Sequence, residues 1–282
     1  MIAILGGLGA AACFAASTLC SSRSSRMIDP GSVLAWVMLF GSIATLPAVL
    51  LAGPPPDVST LDLGWLATVG VGNSLGLLLA YRALRIGKVG LVAPVVSTEG
   101  AIAAVLAVVA GEGLGPGTGA LLALISAGVF VAAISPDSDD VLGRRESRAI
   151  GYAIAAACSF GLSLYAMARA GADLPVAWIL VPARLAGVVL FAAPLAATGR
   201  LQLTRRALPL VIGTGATEVL GVVSYVLGAR HGIAVTSVLA SQFATISVVV
   251  AYLLFRERLT GLQTLGVAAT VIGVGALSAV QA

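Results

Sequence analysis

The sequence predicts an all-α integral membrane protein of ten transmembrane helices, arranged as two inverted five-helix repeats. Three observations predict it. The first is composition: 59% of the 282 residues are hydrophobic and 10% are charged, with a mean hydropathy of +1.06. Such a chain cannot cover a soluble core with polar surface, which excludes a globular enzyme, a disordered chain and a disulfide scaffold. The second is the recurrence of apolar runs of about 20 residues, the length that crosses roughly 30 Å of hydrocarbon. The third is an ungapped internal match at a shift of 145 residues.

Cutting the chain where charged residues, Pro and Gly cluster gives spans at 1–20, 33–52, 62–84, 89–110, 118–135, 149–168, 177–197, 208–229, 232–255 and 260–280. The first has the length of a signal peptide but lacks a basic n-region, so it reads as a membrane helix. The second, third and seventh open near Trp36, Trp65 and Trp178, whose rings suit interfacial anchors. In the fourth, Pro94 removes a backbone hydrogen bond and predicts a kink, either a hinge or a static bend. Glycines such as Gly72 and Gly76 in the third predict close helix contacts. The loops are short, so neighbouring helices pack side by side and no segment remains for a soluble domain. Cys13, Cys20 and Cys158 lie in or beside apolar runs, and no Cys/His spacing suits a metal.

The 145-residue shift lays the first five spans on the last five. It brings Cys13 onto Cys158, Arg85 onto Arg230, Glu112 onto Glu257, and Gly70, Gly76, Gly87 and Gly128 onto Gly215, Gly221, Gly232 and Gly273. The expected units are a first repeat at 1–136, a connecting loop at 137–148 and a second repeat at 149–282. An odd number of spans per repeat inserts the second copy upside down, the architecture of many secondary transporters.

Phe255-Arg256-Glu257-Arg258-Leu259-Thr260-Gly261 is followed by Leu265-Gly266 and Ile272-Gly273-Val274-Gly275, and has a weaker copy in Gly111-Glu112-Gly113-Leu114 with Gly119 and Gly128. Together with the repeat and Pro182-Ala183-Arg184-Leu185, these residues resemble the signature of the EamA branch of the drug/metabolite transporter superfamily. The resemblance implies a ten-helix secondary transporter of small metabolites, often an exporter. The chain departs from the family pattern at Leu39, where the seventh span's Arg184 has its counterpart, and in the loop Gly53-Pro54-Pro55-Pro56-Asp57.

The net charge of +4 does not point to nucleic acid, because the basic residues sit in short clusters between apolar runs. Thirteen of the sixteen Lys and Arg fall in the loops after odd-numbered spans, against Arg169 and Arg230 on the other face. By the positive-inside rule both termini lie outside the cytoplasm of a plasma (bacterial inner) membrane, whereas the family resemblance implies cytoplasmic termini.

Ionisable side chains at membrane depth are costly and mark candidate sites. Three stand out: Glu99 in the fourth span, Arg184 in the seventh and Glu218 in the eighth. Thr214, Thr217, Glu218, Gly221, Ser224 and Tyr225 form one polar stripe of the eighth span, with Asn73 as the repeat counterpart of Glu218. Ser237, Ser241 and Thr245, with Gln242 beside them, form a second on the ninth. The third, fourth, eighth and ninth spans are thus expected to line one cavity that both glutamates face. Burial penalises a charged carboxylate, so Glu218 first and Glu99 second are candidate proton-coupling groups. Arg184 could hold a substrate carboxylate; it could equally pair with a glutamate or reach the interface. The glutamates could also serve only to hold helices together. Glu112 and Glu257, at helix ends, are assigned to fold or gating.

No nucleophile–base set, dinucleotide fingerprint or P-loop is present, so no catalytic residue and no cofactor is expected. The residues point to a secondary-active exporter of small polar metabolites such as amino acids, with a proton as the candidate coupling ion, acting as a monomer or homodimer in the bilayer. The alternatives are efflux of lipophilic cations, which predicts aromatic residues around the cavity in a chain only 5% aromatic, a non-transporting scaffold, or an intramembrane enzyme. A reporter fused after Ala282 is expected to be active only if it folds outside the cytoplasm; fluorescence from a cytoplasm-only reporter there would reverse the orientation.

Overall fold

A computed structural model describes residues 1–53, 58–113, 115–133 and 140–255, with isolated positions between 261 and 276. The described helices are α1 (Ile2–Met27), α2 (Pro30–Ala52), α3 (Thr60–Ile86), α4 (Val89–Val96), α5 (Glu99–Val109), α6 (Pro116–Ala133), α7 (Asp140–Asp173), α8 (Val176–Gly187), α9 (Ala193–Ala197), α10 (Leu208–Ala229), α11 (Ile233–Ala240) and α12 (Phe243–Phe255). A π-helical turn at Val188–Ala192 joins α8 to α9. Among the described residues, seven helical stretches are long and apolar enough to cross a membrane, Val89–Val109 and Val176–Ala197 each counting as one. The expected fifth and ninth spans correspond to the shorter apolar stretches Pro116–Gly128 and Ile233–Ser247. The expected span 260–280 lies largely outside the described residues.

The helices begin and end where local chemistry dictates. The second span starts at Pro30 because Asp29 caps it: Gly31 N donates to Asp29 Oδ2 at 2.9 Å, and proline suits the first helical position. Ser59 and Asp62 form a capping box at the start of α3,. The first helix continues past residue 20 to Met27, carrying Arg26 to the end of α3, where its Nε and Nη2 donate to Leu84 O at 3.4 Å and Gly87 O at 3.0 Å. At the opposite end of the bundle, Arg230 Nε and Nη2 donate to Gly171 O at 2.7 Å and Leu174 O at 2.9 Å, closing α7. Each arginine satisfies carbonyls that a helix C-terminus leaves open.

One boundary differs in kind. The segment 137–148, expected as a connecting loop, is helical from Asp140 onward, while 137–139 lie outside the described residues. Hydropathy marks where the bilayer begins and not where a helix begins; leucine, arginine and glutamate are good helix formers.

The bundle is built from partnerships between the two halves. α1 runs along α10 and α3 along α7; α2 packs on α10 and α8 on α3; α5 meets α11 and α4 meets α12. The 145-residue shift exchanges the two members of each set. Side-chain packing follows the same exchange: Phe160 of α7 fills the groove at Gly76 of α3, where a Cβ would meet its ring at 2.6 Å, and Phe14 of α1 fills the groove at Gly221 of α10. The backbones of α1 and α10 come close near Gly6, where a Cβ would stand 2.6 Å from Gly228 Cα. Backbone cannot give way as a side-chain tip can, so Gly6→Val is expected to destabilise the protein by about 1–3 kcal/mol or more. A lowered thermal unfolding midpoint in detergent checks this. Gly64→Ala, with no atom within 4 Å, should not lower it.

Candidate functional site

The fourth and ninth spans are both broken, and the breaks bring the site together. The fourth breaks between α4 and α5 at Ser97–Thr98, the ninth between α11 and α12 at Ser241–Gln242. At each break the backbone tightens to three-residue bonds, Thr98 N to Val95 O at 3.3 Å and Gln242 N to Leu239 O at 3.1 Å. Side chains take up the carbonyls left over. Ser97 Oγ donates to Pro94 O and Thr98 Oγ1 to Val95 O, both at 2.8 Å. Ser241 Oγ and Gln242 Nε2 both donate to Val238 O, at 2.7 and 3.1 Å. Pro94 lies on one side of one break, but Leu239 occupies its counterpart position, so the hydroxyl and amide groups are the feature the two breaks share. The breaks abut where Gly100, in the first turn of α5, contacts Ser237 O and Ser241 Cβ.

A cavity lies beside these breaks. Its wall comes from α1 (Phe14, Ser17, Thr18, Ser21), α3 (Asn73, Leu77, Ala80, Tyr81, Leu84), α4 (Val92, Ala93, Val96), α5 (Glu99), α7 (Phe160, Ser163, Leu164, Met167), α10 (Glu218, Val222) and α12 (Phe243). The wall is mostly apolar with a few convergent polar groups, the usual make-up of a small-molecule pocket. Glu99 and Glu218 are each 5% exposed, and with Asn73 they stand on the wall. Ser17 and Asn73 face the Glu218 carboxyl, with Arg184 as its nearest cation. Glu99 is the first residue of α5, and its charged neighbour is Glu218.

Several expected site residues lie elsewhere. Arg184, 2% exposed, is not on the wall. It packs behind it, with Nη1 3.9 Å from Met38 Sδ and the guanidinium over Gly41, where a Cβ would meet Cζ at 3.3 Å. The missing side chain at Gly41 draws the fork toward α2 and away from the cavity. Tyr225 and Ser237 bond each other at 2.8 Å, and Tyr225 Oη also donates to Leu164 O at 3.0 Å, tying α10, α11 and α7 together. Ser241 and Gln242 serve the break. Glu112 accepts from Ala234 N, at 3.2 Å through Oε1 and 3.3 Å through Oε2, capping the start of α11 just after Gly232, whose φ is +146°. Glu257 lies outside the described residues. Near Glu112, at the other end of the bundle from Arg26, a wider cleft is lined by Arg169, Arg230 and His231 among others.

Sequence reasoning missed α1 and α7 as walls, and with them Ser17, Phe14 and Phe160. The four-residue spacing of Ser17 and Ser21 was a signal for α1. On α3 the polar and small stripe drew attention to Gly72 and Gly76, which pack on α7, whereas Asn73, Leu77 and Tyr81 turn to the cavity.

A bundle of membrane-length helices around a pocket with two acidic groups on its wall defines a multi-pass membrane protein. Residues 1–134 match the EamA-like transporter family, which lies within the drug/metabolite transporter superfamily. Members of the family are transporters, and this match together with the membrane-length helices supports a membrane transporter. No curated protein matches it. A solved structure titled only "Crystal structure of protein" shares its fold, with a TM-score of 0.75 over 99% of both chains at 18% identity.

The cap on α11 yields a direct check. Glu112→Ala is expected to cost about 0.5–2 kcal/mol of stability, read as a lowered unfolding midpoint. Glu112→Gln, which still offers an accepting oxygen, should recover most of the loss.

Proposed function

We propose that the protein is a proton-coupled secondary transporter that exports small amine-bearing solutes by alternating access between two inverted halves, 1–136 and 149–282. The observation that carries the reading is that Glu99 and Glu218, both nine-tenths buried, line one cavity. The exchange of helix partnerships under the 145-residue shift and the paired breaks support the inversion, since broken helices at the site are characteristic of inverted-repeat transporters,.

Charge balance supplies the coupling. The charged groups facing the cavity are Glu99, Glu218 and, from behind the wall, Arg184; Tyr81 is the titratable neighbour on α3. α1, α4, α7 and α12 give the wall uncharged side chains. Arg184 balances one carboxylate, so the set is neutral when the other holds a proton or an ammonium. A proton and an amine therefore compete for one place, and competition at one site makes their movements opposite. With the acid side outside, proton entry drives the solute out.

The same balance favours a cationic amine with an apolar body, because Phe14, Phe160 and Phe243 stand on the wall. This brings forward the lipophilic-cation reading. An amino-acid-like cargo is the second reading, favoured by the buried donors near Glu218 that lack acceptors; a zwitterion adds no net charge and would leave the proton in place.

Either Glu99→Gln or Glu218→Gln removes the carboxylate that needs a proton. Each is expected to cut pH-gradient-driven movement of a radiolabelled amine in proteoliposomes by tenfold or more, roughly the loss of one charge-assisted contact, in protein that elutes as a folded species. Gradient dependence that survives both substitutions would refute the coupling role.

A further inference from the structure

Hydrogen-bond donors near Glu218 are left open. Tyr81 Oη, and Arg184 Nε and Nη2, are buried without hydrogen-bond partners, while Asn73 is a partner of Glu218. Asn73 and Tyr81 lie on one face of α3, two helical turns apart with Leu77 between them, and all three are on the cavity wall,. Tyr81 is 2% exposed and has Glu218 and Arg184 as charged neighbours. Glu218 has Ser17 and Asn73 as its hydrogen-bond partners and leaves the Tyr81 hydroxyl open. An open donor in an apolar interior is costly, and one facing a cavity is what a visiting acceptor would complete.

We propose that Tyr81 forms a subsite for a hydrogen-bond-accepting group on the transported amine, with Arg184 as a positioning residue behind the wall. This rests on the reading of the cavity as the solute site. The accepting group is neutral. Once an ammonium neutralises the second carboxylate, a carboxylate on the same solute would make the cavity negative again, whereas an amide, ester or hydroxyl oxygen adds no charge. The ligand class is thus an apolar amine bearing a neutral acceptor, held at one end by the glutamates and at the other by the phenol of α3.

Three probes on one carbon skeleton test it by calorimetry on the full chain in nanodiscs: 3-methylbutylamine, which has no acceptor, L-leucinamide, which has a neutral one, and L-leucine, which has a carboxylate. L-leucinamide should bind about tenfold or more tighter than 3-methylbutylamine, because a site built to hydrogen-bond a group rejects the analogue lacking it. Tyr81→Phe keeps the ring, and its unfolding midpoint checks that it folds; it should remove most of that ratio, while Glu99→Gln should weaken both amines together. Equal binding of the two amines, or a ratio unchanged by Tyr81→Phe, overturns the subsite while dependence on Glu99 preserves the cavity reading. Tighter binding of L-leucine than of L-leucinamide overturns the neutral-acceptor class. If none of the three binds, or if binding ignores Glu99→Gln, the cavity reading itself falls.

Discussion

Two carboxylates and one guanidinium are enclosed at membrane depth in this chain, and the packing around them follows from making that set tolerable. An ion there costs several kcal/mol unless protein or water faces it. Arg184 packs over Gly41 of α2, where a side chain would crowd the guanidinium. Glu218 has Ser17, Asn73 and Arg184 about it. Glu99, the first residue of α5, has Glu218 as its charged neighbour. A charge set of this kind stays uneven until a mobile cation joins it, so the electrostatics that strain the fold also supply a reason for a proton or an amine to enter.

The broken helices meet a second constraint of the same origin. Backbone groups in a bilayer must find partners within the protein, and interrupting a helix leaves carbonyls open. Ser97, Thr98, Ser241 and Gln242 close them with their own side chains, which lets α5 begin at the cavity and deliver Glu99 there. The cost of a break is thus met locally. The halves can then cross tightly, with Gly100 against Ser241, without unpaired backbone at the crossing.

Much of this was legible from residues alone, and the rest was not for identifiable reasons. Hydropathy located the membrane-length stretches. Charge at depth singled out Glu99, Glu218 and Arg184. Direction was harder. Arg184 lies on the expected span, but its fork turns toward α2, a choice made by a glycine over 140 positions earlier in the chain. Ser241 and Gln242 satisfied the three- and four-residue spacing of a cavity stripe, yet the stripe presupposed an unbroken helix, and those side chains are what the break requires. Periodicity cannot reveal where a helix stops being periodic.

Aromatic content shows the same limit from composition. A chain with seven phenylalanines among 282 residues gives no hint of an aromatic site, because an average assumes even spreading. Three of the seven reach the cavity wall, and two of them do so by structural necessity. Phe14 and Phe160 fill the grooves that Gly221 and Gly76 open on the opposing helices, so the rings that lock α1 to α10 and α7 to α3 are the same rings that border the carboxylates. Helix packing and the apolar lining are therefore one feature. Enlarging either glycine would displace a ring into the cavity and alter the pocket as well as the fold, which ties the choice of solute to the contacts that hold the two halves together.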